Sequence, residues 1–187
     1  MIKMRQISLI FFTILFFSLN ACGQNFQKES QVEIPDNWKV LNEANYSIHY
    51  PDTFELDKSG HMGMHFILLS NLTSDDDLFR ENINLIIQDL KGYNINLDQY
   101  VEISEGQINT MIIDGNIIKS ERVKGSNNRE LHRIIYTGKQ EQLDLKWLQY
   151  YWVVNEKAYI LTLTTEVSQF ENYLPVGEKI MNTFKIK

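Results

Sequence analysis

The chain has 187 residues, 43% of them hydrophobic and 12% aromatic, with a formal net charge of −6. Its 24 acids against 18 bases, with the bases scattered, argue against nucleic acid as a partner and against docking onto anionic lipid through protein charge. One cysteine in the whole chain rules out an internal disulfide, so stability has to come from a packed core.

Met1 to Gln6 carries Lys3 and Arg5 and no acid, and Ile7 to Leu19 is an apolar run broken only by Ser8, Thr13 and Ser18. Thirteen residues are too few for a stable membrane span and have the proportions of a signal-peptide core. The run ends at Leu19-Asn20-Ala21-Cys22-Gly23, where a small residue precedes the sole cysteine. This is the arrangement of a lipobox, although Asn20 is an unusual residue at its position. Residues 1–21 are therefore expected to be a lipoprotein signal peptide, with Cys22 as the lipidation site and acylated first residue of the mature chain. Acyl chains supply about 0.8 kcal/mol per buried CH₂, enough with more than one chain for stable anchoring. Removing Lys3 and Arg5 would leave 16 bases against 24 acids, a net charge of −8 on 166 residues, which is the size of one domain. Gly23 is not the aspartate that retains enterobacterial lipoproteins at the inner membrane, so an outer-membrane location is expected.

Residues 22–35 are polar and lack periodicity, as in a flexible tether. Gln27-Lys28-Glu29 within them resembles the charged signals that send some lipoproteins to the cell surface, though a solvated linker explains it more simply. The folded domain is expected over residues 36–187. Trp38 to Leu41 and Tyr46 to Tyr50 alternate as strands around a turn at Asn42 to Asn45, and Pro51 ends the second. Met64 to Ser70 and Asn82 to Leu90 are further strands, the second with Ile83, Leu85 and Ile87 on one face. Asn96 can cap a helix whose third residue is Gln99 and whose stripe is Leu97, Val101, Ser104, Ile108 and Met111.

Ile112 to Lys124 and Arg129 to Gly138 form a hairpin around Gly125-Ser126-Asn127-Asn128, and Asp144 to Val154 and Ala158 to Glu166 complete a meander. In the strand from Trp147, the side chains of Trp147, Gln149, Tyr151 and Val153 should point one way and Leu148, Tyr150, Trp152 and Val154 the other. Both faces are apolar. One face should pack on the sheet core, and the other is expected to lie under a helix, the terminal one having an apolar side in need of a partner, or to be partly exposed as a binding surface. Ser168 and Glu171 have capping-box spacing, and Pro175 should divide the terminal helix into a first turn at Ser168 to Asn172 and a helix from Leu174 or Pro175. The expected class is α+β: an αβα sandwich with a mostly antiparallel sheet of about six strands flanked by two or three helices.

The strings Tyr46-Ser47-Ile48-His49-Tyr50-Pro51, Asn82-Ile83-Asn84-Leu85, Leu97-Asp98-Gln99-Tyr100, Tyr150-Tyr151-Trp152 to Tyr159-Ile160-Leu161-Thr162, and Phe170 to Phe184 occur in this order. Together they resemble the PsbP/DcrB-like family over nearly all of the mature chain. The resemblance implies an αβα sandwich, often secreted and often carried by a lipoprotein signal. It implies no shared catalytic residues, since relatives range from a photosystem subunit to envelope lipoproteins.

For chemistry, His61 and His65 have a spacing that could hold zinc or copper, with His49 upstream, but no third ligand has recognisable spacing. They are weak metal candidates, and a loop running into a strand is the simpler reading. Asp75-Asp76-Asp77 lacks the rest of a calcium loop and reads as a solvated turn, and His132 reads as a cross-strand packing residue. The sequence has no nucleophile elbow, no Ser-x-x-Lys and no phosphate loop. No catalytic residue and no cofactor is expected. The expectation is a non-enzymatic envelope lipoprotein that touches the membrane through Cys22 and binds an unknown envelope protein. The alternative is a small-molecule or metal-binding protein with a pocket between sheet and helices, and a hydrolase with an unrecognised site is a third.

Overall fold

The computed structural model describes residues 33–75, 77–125 and 129–187. The signal peptide, Cys22, most of the tether, Asp76 and the hairpin tip Ser126-Asn127-Asn128 lie outside them.

The described residues form ten strands in two sheets, more than the six expected, with two α-helices. In chain order they are β1 (Trp38–Asn42), β2 (Tyr46–Pro51), β3 (Glu55–Asp57), β4 (Phe66–Leu69), β5 (Asn82–Asp89), α1 (Leu97–Met111), β6 (Ile113–Lys124), β7 (Glu130–Gln140), β8 (Leu143–Val154), β9 (Lys157–Glu166), α2 (Phe170–Asn182) and β10 (Lys185–Ile186). The large sheet is antiparallel throughout, ordered β3-β4-β5-β9-β8-β7-β6, and the small one is β1-β2-β10. The two strands that the sequence pattern does not mark, β3 and β10, have three and two residues, too few to show a period. The small sheet is the expected β1–β2 pair completed by β10, which pairs with the other edge of β2, a long-range event that local pattern does not encode.

Adjacent strands join where turn chemistry allows. Asn155 and Glu156 both adopt positive φ, 51° and 56°, which makes the two-residue β8–β9 connection a hairpin turn matched to strand twist. At the start of α1 the Asn96 side chain accepts from the Gln99 N–H at 3.0 Å, and Gln99 Oε1 accepts from the Asn96 N–H at 3.0 Å, the capping box the spacing predicted.

The terminal helix departs from expectation. Ser168 sits in a 3-10 turn, Val167–Gln169, no side chain caps the helix, and α2 continues through Pro175 without division. Pro175 is the sixth helical residue, so it removes only the bond its own N–H would give the Glu171 carbonyl. Glu171, Asn172 and Pro175 are all exposed, and water can serve that carbonyl.

The two faces of the large sheet carry different layers. On one, Ile83, Leu85, Leu148, Leu161 and Leu163 are sealed under α2 and the small sheet. Phe184 packs 5.3 Å from Trp152 and 5.9 Å from Tyr46, ring centre to ring centre, tying β8, β2 and the end of α2 together. Gly177 lets α2 approach closely, since a Cβ there would meet Leu163 Cδ2 at 2.6 Å. Charge also docks α2: Arg133 on β7 donates to Glu178 at 2.6 Å, and the Lys146 ammonium lies 3.8 Å over the Phe170 ring. On the opposite face, Val101, Ser104 and Ile108 of α1 pack near Ile134, Tyr136, Trp147 and Tyr151.

Candidate functional site

Helix α1 lies along β6 and over β8, not along the middle of the sheet. Its C-terminal end is pinned there: Gly138 on β7 admits Ile112, whose Cγ2 would sit 2.4 Å from any Cβ at that position. The offset leaves β5 uncovered on this face, with Ile86 and Gln88 exposed, while Ile160 and Thr162 of β9 beside it are buried. Between that open strip and α1 runs a groove of about 340 Å³.

The floor of the groove is built by register. Ile86 of β5 faces Ile160 of β9, which faces Tyr151 of β8, and in-register neighbours share a face. Ile108 and Met111 of α1 form the far wall. Ile160, Ile108 and Tyr151 are buried, whereas Met111 at 72% exposure and Ile86 at 38% form open lips.

The polar groups of the groove are amides and hydroxyls. Tyr100 donates its hydroxyl to Gln88 Oε1 at 2.8 Å, Tyr151 donates to Gln149 Oε1, and Gln149 Nε2 donates to Thr162 Oγ1 at 3.1 Å. Burial pushes the hydroxyls of Tyr100, Tyr136 and Tyr151 above the ordinary tyrosine value, Tyr151 and Tyr136 furthest. They stay protonated and neutral across the physiological range. Among the described residues, no charged side chain lines the groove. It can hold an uncharged body and hydrogen-bond it, but supplies neither an ion pair nor a group poised to move a proton.

The sequence-predicted candidates are placed elsewhere. His61 lies in an exposed 3-10 turn, His61–Gly63, and His65 is exposed with its ring edge-on to Tyr46. His49 is held by Thr183, whose hydroxyl accepts the His49 N–H at 2.8 Å. Burial, then the nearby Lys185, lowers the His49 pKa. The three histidines are not brought together, and among the described residues no group of three or more potential ligands could hold a metal ion. Asp77 organises its own loop, accepting from the Thr73 N–H and hydroxyl at 2.8 Å each and from the Phe79 N–H at 3.1 Å. These bonds hold its carboxyl below the usual range.

His132 meets β6 across the strand pair, with Nε2 2.6 Å from Ser120 Oγ, and Ser120 also donates to Glu105 of α1. With the serine proton committed to Glu105, the imidazole donates from Nε2 and is no base toward Ser120. The cluster works as a latch between α1 and the sheet, joined by an ion pair of Arg122 with Asp98.

Sequence reasoning found Tyr151 and Gln149 on one face of their strand and Ile108 and Met111 on one stripe of their helix. It missed Ile86, Gln88 and Tyr100. The available signal was β5 itself, where Asn82, Asn84, Ile86 and Gln88 alternate with the buried set, a polar face unlike that of a strand covered on both sides.

No family model matches this sequence, and no curated protein does either. Solved structures do match. LpqN of Mycobacterium tuberculosis, involved in cell envelope biogenesis, aligns with a TM-score of 0.63 at 10% identity, over 81% of this chain and 92% of its own. Cyanobacterial PsbP from Synechocystis aligns with a TM-score of 0.60 at 13% identity, over 90% of this chain and 99% of its own. A Pseudomonas aeruginosa protein of unknown function aligns with a TM-score of 0.57 at 15% identity, over 81% of this chain and 98% of its own. At these identities the likeness speaks for the backbone arrangement alone, and it places this chain among the proteins of PsbP/DcrB-like fold.

Proposed function

We propose that this chain is a non-catalytic lipoprotein of the cell envelope that acts by binding, held to the outer membrane by acyl chains on Cys22. The observation that carries the binding role is the groove beside α1, a concave site with buried apolar floor, exposed lips and convergent neutral hydrogen-bonding groups. The lipobox supports the anchor. LpqN, of like fold, is itself involved in cell envelope biogenesis, which suits an envelope role here.

Docking of an envelope protein has a separate observation behind it. Leu78 is 91% exposed on a loop that Asp77 braces by three hydrogen bonds, while the neighbouring Phe79 is partly buried against the α1-side core. A braced apolar tip flanked by acid suits an apolar pocket with a basic rim on a partner protein.

The anchor is tested by feeding cells an alkyne-tagged fatty acid: wild type should carry the label and Cys22→Ser should not, and an unlabelled, fully soluble wild type would end the assignment. Docking is tested by placing benzoylphenylalanine at position 78 in intact cells. Covalent capture of one discrete polypeptide at 78, and not at position 40 on the small sheet, is the expected result. Equal capture at both positions would remove the protein-docking reading.

A further inference from the structure

The α1 groove has more to say than that the protein binds. Among the described residues its lining has no cation for a carboxylate or phosphate and no anion for an amine, and its tyrosines remain neutral. A charged ligand would lose its hydration on entering and find no counter-charge, a loss that neutral amides do not offset. The floor of Ile160, Ile108 and Tyr151 offers apolar surface instead, and Gln88 with Tyr100 places one amide–hydroxyl pair at the edge. About 340 Å³ accommodates a compact molecule of two fused or linked rings and not a folded partner.

We infer that the groove between α1 and β5–β9 is a binding site for an uncharged, mainly apolar small molecule carrying at least one hydrogen-bond acceptor or donor. This rests on the reading that the protein acts by binding, and it assigns the groove to a small ligand while leaving the Leu78 loop to protein docking. Met111 and Ile86 form the entrance, and Gln88 orients the polar group.

Benzophenone is a suitable probe, being uncharged with one carbonyl acceptor and forming covalent adducts with neighbouring C–H bonds under near-ultraviolet light. Benzoylbenzoate has the same rings with a carboxylate. The full-length lipoprotein, irradiated with each and mapped by peptide mass spectrometry, should take benzophenone saturably at Met111 and the adjoining α1 peptide. Benzoylbenzoate should label that site about tenfold less or weaker still. Met111→Glu lies on the exposed lip and leaves the fold intact, and with Ile86→Glu it should cut labelling of the remaining groove peptides by about tenfold. Non-saturating label spread over exposed residues, equal labelling by the carboxylate, or labelling indifferent to both variants would overturn the assignment. Benzoylphenylalanine at position 86 in cells separates the two failures. Polypeptide capture there, with no benzophenone site, ends the small-ligand inference and keeps the binding role, whereas failure at positions 86 and 78 together with no benzophenone site ends both.

Discussion

The two faces of the seven-stranded sheet are built from the same three central strands, β5, β9 and β8, yet only one of them is closed. Toward α2, Ile83, Leu85, Leu161, Leu163 and Leu148 meet a helix and a second sheet, and all are almost fully buried. Toward α1, the matching row reads Ile86, Ile160 and Tyr151, then Asn84, Thr162 and Gln149, and the helix covers only its β8 end. The difference lies in the partner, not in the strands. Two covering elements reach across all three central strands on one side, and one off-centre helix does not do so on the other. A closed face supports the fold and an open one leaves room for a ligand.

The sharpest way to break this contrast is truncation of matched positions. Leu161→Ala on the closed face should cost about 2–5 kcal/mol, since neighbours fixed on both sides cannot collapse into the space. Ile86→Ala on the open face should cost within about 1 kcal/mol, because water already reaches the site. Urea unfolding with both variants checks this. Similar losses would mean that the groove is packed in solution. Next in size is Gly177→Val, which drives a branched side chain into Leu163 and should cost about 1–3 kcal/mol.

These contrasts also mark what the sequence could reveal. Alternation in β8 assigns each side chain from Trp147 to Val154 to its correct face, and the Asn96–Gln99 spacing locates the start of α1, because both are local signals. The groove was not legible as a whole. Its existence depends on the lateral position of α1, which Gly138 and Ile112 set across residues far apart in sequence. The stripe containing Met111 looked like buried helix surface for that reason, and Met111 proves to be an exposed lip. The terminal helix failed differently: Pro175 falls where one lost bond faces water, so a breaker by composition does not break.

A smaller effect tests how α1 is held. Asn96→Ala removes the cap and the reciprocal Gln99 bond at the helix start and should cost about 1 kcal/mol. Because α1 is one wall of the groove, hydrogen exchange should rise through its first turn beside Tyr100. Unchanged protection there would mean that the Arg122–Asp98 and Ser120–Glu105 contacts alone hold the wall.

The smallest effect is a difference in sign between a buried acid and two partly buried bases, because burial disfavours the charged form of each. Glu81, 2% exposed on the closed side, has its carboxyl held above the ordinary value of 4.5, first by burial and then by Asp77. Its folded form holds the proton more tightly than the unfolded chain, so its contribution is present below 4.5 and is lost as pH rises toward the folded value. His132, beside α1, is lowered from 6.5, first by burial and then by Arg122, with Glu105, Asp98 and Glu121 opposing. The unfolded chain takes the proton first, so this contribution is complete above 6.5 and is lost as pH falls toward the lowered value; His49 has the same sign. Urea midpoints from about pH 4 to about pH 8 should therefore change in opposite senses for two single variants. Glu81→Gln should gain on wild type as pH rises through the weakly acidic range. His132→Gln should gain as pH falls below neutral. Two variants that track wild type in parallel would mean that neither group is desolvated in the folded protein.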